Sequence, residues 1–105
     1  MHPFLDRVVE MAERPGPGGR SLADRLRDSY DARIGTYDGF VVDELIELIN
    51  ALMRETPENE VRVAYNALAE QEGLTPLEED EILVGPYTDM FIDPVLGEIG
   101  PGNPA

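Results

Sequence analysis

Cysteine, lysine and tryptophan are missing altogether from these 105 residues, and histidine occurs once. Without a thiol there is no disulfide and no thiolate metal site. Without lysine there is no Schiff base and no Gly-Lys-Ser/Thr phosphate loop. The single imidazole, His2, stands beside Met1, where solvent is its expected surrounding, and no nucleophilic dyad or triad can be assembled from it. The carboxylates lack the Glu-x-x-His pairing that bundle di-metal sites use. Gly16, Gly18 and Gly19 are interrupted by Pro17 and follow no strand, so a phosphate cradle is not expected there. These gaps together argue against an enzyme and against any cofactor or metal.

Long apolar runs are missing as well. No stretch of eighteen apolar residues occurs, so no membrane-spanning helix is expected. The opening segment carries Asp6, Glu10 and Glu13, which does not fit the basic start and uncharged apolar stretch of a secretory signal. The setting that fits is the cytoplasm, or the host cytoplasm if the protein is phage-encoded.

What the chain has in excess is acid. Twenty-two Asp and Glu against eight basic residues, all arginine, give a formal charge of −14. The distribution matters more than the total. In residues 1–35 six acids are matched by six arginines, whereas residues 36–105 hold the other sixteen acids against only Arg54 and Arg62. The whole net charge therefore sits on the last two-thirds of the chain. Direct binding of nucleic acid through phosphate neutralisation is excluded by that sign. A coding bias or adaptation to high salt would also raise acidity, but either should acidify residues 1–35 equally.

The pattern of apolar residues is helical throughout. Pro3 suits a first helical turn, and Leu5, Val8, Val9 and Ala12 follow at helical spacing. Arg14 to Arg20, rich in proline and glycine, ends that helix. Ser21 with Asp24 forms a capping pair, and Leu22, Leu26, Tyr30 and Ile34 at i,i+4 steps predict a second helix reaching Gly35. Asp38 caps a third whose polar positions Asp43, Glu47, Asn50 and Arg54 fall in one narrow strip, with Glu44 just outside it. A helix apolar around most of its circumference is expected to be packed on several sides, at the centre of a bundle. Thr56-Pro57 and Thr75-Pro76-Leu77-Glu78 read as two further helix starts, ending at Gly73 and Val84, which makes 56–84 a helical hairpin. Pro94, Gly97 and Gly100 break the last apolar stretch, so no long helix is expected beyond Gly85-Pro86.

The fold expected is therefore all-α: a compact bundle of four to five short helices spanning residues 1–86, with an irregular C-terminal strap over 87–105. Tyr87, Met90, Phe91 and Ile92 in that strap either close the core or form an exposed docking patch. The candidate partner-binding surface is acidic: Asp43, Glu44, Glu47, Glu55, Glu58, Glu60, Glu70, Glu72, Glu78, Glu79, Asp80 and Glu81. Carboxylates spaced along rigid helices imitate the phosphates of a duplex and favour fast, salt-sensitive association with a basic surface. First-turn acids such as Glu58, Glu60, Glu78 and Glu79 also have a local reason to be there, because they complement the helix dipole.

On size and charge alone, the reading is a small acidic inhibitor or decoy that blocks a basic nucleic-acid-handling protein. Anti-CRISPR, anti-restriction, nuclease-immunity and antitoxin proteins are of this general type. The alternative is a non-catalytic structural or adaptor subunit of a phage or bacterial assembly, docking through residues 87–99.

Overall fold

A computed structural model describes residues 2–78 and 88–100. Among the described residues five helices form a bundle and no strand occurs. Helix α1 (Pro3–Glu13) starts on the imidazole of His2, whose Nδ1 accepts the Phe4 N–H at 3.1 Å. Helix α2 (Leu22–Ser29) opens on the expected capping box, in which Ser21 Oγ accepts from Asp24 N and Asp24 Oδ2 accepts from Ser21 N. Helix α3 (Gly39–Glu55) is capped by Asp38 through the Phe40 N–H. Helix α4 (Glu58–Glu72) stops at Gly73, whose φ of 70° is the left-handed conformation that glycine adopts without steric cost. Helix α5 spans Asp89–Ile99.

One apolar core joins all five. Phe4, Leu5, Val8 and Ala12 of α1 meet Leu26 of α2, Leu45, Ile49 and Leu52 of α3, Val61, Ala64 and Tyr65 of α4, and Phe91, Val95 and Ile99 of α5. The hub is not α3. Helices α1 and α5 each pack against the other four, while α3 lies against α2, α1 and α5. Only three α3 side chains are fully buried, and Phe40 is 85% exposed.

Helix α2 is a turn shorter than the i,i+4 series predicts. Side chains take its place: Ser29 Oγ donates to the Leu26 carbonyl and accepts the Asp38 N–H, and Asp31 Oδ1 accepts the Arg33 N–H. Such short polar side chains offer the backbone an alternative to helix. A tight turn results, closed by Asp31 N to Thr36 O at 2.8 Å and made possible by Gly35 at φ 68°. Ile34 is consequently 69% exposed rather than buried. Tyr30 turns instead onto Tyr37, with ring centroids 4.9 Å apart.

Two expected helix starts behave differently. Thr56 does not cap α4: its hydroxyl donates to the Leu52 carbonyl at 2.6 Å, closing α3, and α4 begins after Pro57 without a side-chain cap. Residues 75–78 are not the first turn of a helix. Asn66 of α4 holds Leu77 from both sides, accepting its N–H at 2.7 Å and donating to its carbonyl at 3.1 Å, and Leu77 is buried. That two-way bond captures the backbone groups a helix would have needed. The remainder of the expected hairpin arm, 79–84, lies outside the described residues.

The largest departure is α5, where an irregular strap was expected. Pro94 lies inside this helix and has no N–H to give the Met90 carbonyl, a cost of about 3 kcal/mol, with about 1 kcal/mol more for Gly97. Against this, Phe91, Val95 and Ile99 are fully buried along one face, and each such burial contributes about 1.5–3 kcal/mol. Burial wins. Residues 88–100 thus pack into the same core as helices α1 to α4.

Thr88 and Arg27 fix the two ends of α5. Thr88 is buried and its hydroxyl donates to Asn50 Oδ1 at 2.8 Å, so Asn50 serves the core rather than the wet strip of α3. At the other end the Arg27 guanidinium donates to the Ile99 carbonyl at 2.9 Å and pairs with both Glu13 and Asp24. One side chain thus ties α1 and α2 to the carbonyl end of α5, where a cation is favoured.

Candidate functional site: an acidic surface and an apolar groove

Arginine placement determines which carboxylates are left over. Arg7 pairs with Glu55, Arg14 with Glu10, Arg20 with Asp28, Arg33 with Asp31 and Arg62 with Glu58. Arg25 makes a bidentate fork with Glu44 at 2.5 and 2.8 Å. Its guanidinium holds the Glu44 carboxyl below the usual carboxylate range, and Arg25 is raised in turn. Asp24 is likewise lowered, chiefly by the Ser21 backbone N–H, and Asp31 by its hydrogen bond from Arg33. Apart from Arg62, whose side chain is only 14% exposed, these pairs are solvent-exposed and each contributes little to stability. Their effect is on the outward charge: the arginines are used within the molecule.

The expected acidic surface therefore divides. Glu44, Glu55 and Glu58 are partnered, whereas Asp43, Glu47, Glu60, Glu70 and Glu72 form no ion pair among the described residues and are exposed. Asp43 and Glu47 share the outer strip of α3. Glu55, Glu58 and Glu60 gather where α3 passes into α4. Glu70 and Glu72 sit at the other end of α4, roughly 18 Å further along at the helical rise per residue, and exposed Glu78 follows them. Glu79, Asp80 and Glu81 lie outside the described residues. The carboxylates form groups along two helices rather than one compact cluster. Among the described residues no three His, Asp or Glu side chains converge to hold a metal ion, and no helix there is long and apolar enough to cross a membrane.

The expected docking patch is dispersed too. Phe91 is in the core, edge-on to Phe4 at 5.3 Å and to Tyr65 at 6.5 Å between ring centroids. Met90 and Ile92 are half-buried against the same core, and Tyr87 lies outside the described residues.

Ile92 leads to a feature the sequence did not reveal. Tyr30, Tyr37, Val42, Ile92 and Leu96 line an open groove of about 650 Å³ between the α2–α3 turn, α3 and α5, with Asp43 and Asp93 among its polar groups. Burial pushes the Tyr37 phenol above its ordinary range, and neighbouring Tyr30 adds to the shift. A shallow recess beside Phe40 shares Gly39 and Asp43 with this groove. The signal that was overlooked is the i,i+4 pair Ile92 and Leu96, interleaved with Phe91, Val95 and Ile99. Read as a helix despite Pro94, the segment has one face for the core and a second for the groove. No protein family, curated protein or solved structure matches the chain.

Proposed function

We propose that this protein is a non-catalytic binding module that occupies a basic surface on another protein, as an inhibitor or decoy of a nucleic-acid-handling partner in the cytoplasm. The supporting observation is the internal use of arginine. Seven of the eight are engaged by carboxylates of the same molecule, and in a chain of net charge −14 this leaves Asp43, Glu47, Glu60, Glu70 and Glu72 of α3 and α4 exposed, with no ion pair among the described residues. Carboxylates fixed to rigid helices need little reordering on binding, and a charge of that size steers association with a basic groove. The adaptor alternative docks through residues 87–99, of which Phe91, Val95 and Ile99 are in the core.

Affinity capture on the tagged protein, eluted by rising salt, tests the reading. A basic nucleic-acid-binding protein should elute at moderate salt and be displaced by added duplex DNA. A combined Asp43→Asn, Glu47→Gln, Glu60→Gln and Glu70→Gln variant should no longer retain it. A partner indifferent both to ~0.5 M salt and to DNA would rule out the charge mechanism.

A further inference from the structure

We infer that the groove between the α2–α3 turn, α3 and α5 receives an apolar side chain flanked by arginine or lysine on the basic partner, so that binding has an apolar anchor within an acidic rim. This rests on the binding role proposed above and specifies what the partner presents. The floor is apolar and aromatic, built from Tyr30, Tyr37, Val42, Ile92 and Leu96, and the ionised groups lining it are Asp43 and Asp93, with no arginine among the lining residues. Phe40 and Ile34, the two most exposed large apolar side chains of the described residues, lie next in sequence to lining residues Gly39 and Gly35. An apolar floor, exposed apolar shoulders and an unneutralised acidic rim match the anatomy of a protein interface with a buried anchor and a polar edge.

Charge decides between occupants. A second copy of this chain would bring −14 against −14, at close range and with like-charged rims. A cationic segment meets the rim favourably. The volume, about 650 Å³, falls within the range of binding clefts, but the open side suits side chains presented from a larger surface.

The test uses the full ¹⁵N-labelled chain and a capped hexapeptide with a leucine–tryptophan pair between two pairs of arginines. Two control peptides replace either the apolar pair by serine or the arginines by glutamine. Amide shifts should concentrate at Tyr37, Val42, Ile92, Leu96 and Gly97. Each control should bind more weakly, and so should the charge-reversed surface variants Asp43→Arg and Asp93→Arg, by about fivefold per lost ion pair. Val42→Ala, checked for retained helicity, should weaken the full peptide without altering the response to the serine control.

Shifts confined to Glu60, Glu70 and their neighbours, or equal binding of the serine control, would refute the groove while leaving the acidic-surface reading intact. If no peptide binds but the basic partner is still captured and lost on neutralising α3 and α4, the groove proposal alone fails. Sedimentation showing self-association blocked by Asp93→Arg would assign the groove to a second copy instead, and overturn the proposal.

Discussion

Replacing Phe91 by alanine tests whether α5 belongs to the core. Its ring is fully buried and edge-on to both Phe4 and Tyr65. Removing a buried phenylalanine costs about 3–5 kcal/mol in lost transfer energy and residual cavity. Two edge-to-face partners, each contributing about 0.5–1.5 kcal/mol beyond area, place the expectation in the upper part of that range, about 4–5 kcal/mol. A domain of this length has about 5–15 kcal/mol in total, so Phe91→Ala should remain folded but be left with a modest margin. Urea unfolding followed by circular dichroism at 222 nm suits a protein without tryptophan. The midpoint should fall with the slope unchanged, because the surface exposed on unfolding is nearly the same. Phe40→Ala provides the control: its ring is 85% exposed, and the change should stay within about 0.5 kcal/mol. A Phe91→Ala loss below about 1 kcal/mol, or one matching Phe40→Ala, would show that α5 is not docked as described.

Thr88→Val keeps the shape of a buried side chain but leaves Asn50 Oδ1 without its donor, so about 1–3 kcal/mol should be lost, and Thr88→Ser should recover part of it in the same urea assay. Arg27→Gln removes the guanidinium from Glu13, Asp24 and the Ile99 carbonyl. About 1–2 kcal/mol should go, after allowance for a partly exposed side chain, and amide exchange should quicken over the last turn of α5 before it does in α3. Asp24, Asp31 and Glu44 have folded-state pKa values below their ordinary ones. Their contribution is present above the unfolded carboxylate range and is lost as pH falls through the depressed values; Glu44→Gln should flatten the acid limb of urea midpoint against pH, and an unchanged limb would refute the role of the Arg25 fork. For Tyr37 the folded pKa is raised with the neutral phenol favoured, so stability holds below the usual phenol range and declines above it. The Tyr37→Phe variant should lose a component of phenolate absorbance that titrates above the usual phenol range.

What the sequence disclosed well were features decided within a few residues. The Ser21–Asp24 box, the Asp38 cap and the Gly73 stop all stand where their spacing put them, because each satisfies backbone groups of its own turn. The misreadings share a cause. At Ile34, Thr56, Thr75 and Pro94 a valid local signal was outcompeted by a partner elsewhere: Asp38 for Ser29, the Leu52 carbonyl for Thr56, Asn66 for Leu77, and the core for the Phe91 face. At Pro94 even a propensity cost of about 3 kcal/mol yields to the burial of three side chains at about 1.5–3 kcal/mol each. The same division holds for the site. That Asp43 and Glu47 would share the outer strip of α3 followed from helix periodicity. That Glu44 is taken by Arg25 did not, since the two belong to different helices, and the groove could not be seen while one of its walls was read as irregular.

Phe4 and Phe91 touch although nearly the whole chain lies between them. Closing a loop of that length costs roughly 4 kcal/mol in chain entropy beyond the constant for any closure. Helices α2 and α3, joined by the short turn at 31–36, carry no comparable burden and can pair early. Until α5 arrives, the Phe4, Leu5 and Val8 face of α1 has no complete cover, so assembly ends with a long-range docking step. For a protein with this much helix, refolding should be governed by that topological closure rather than by the speed at which individual helices wind.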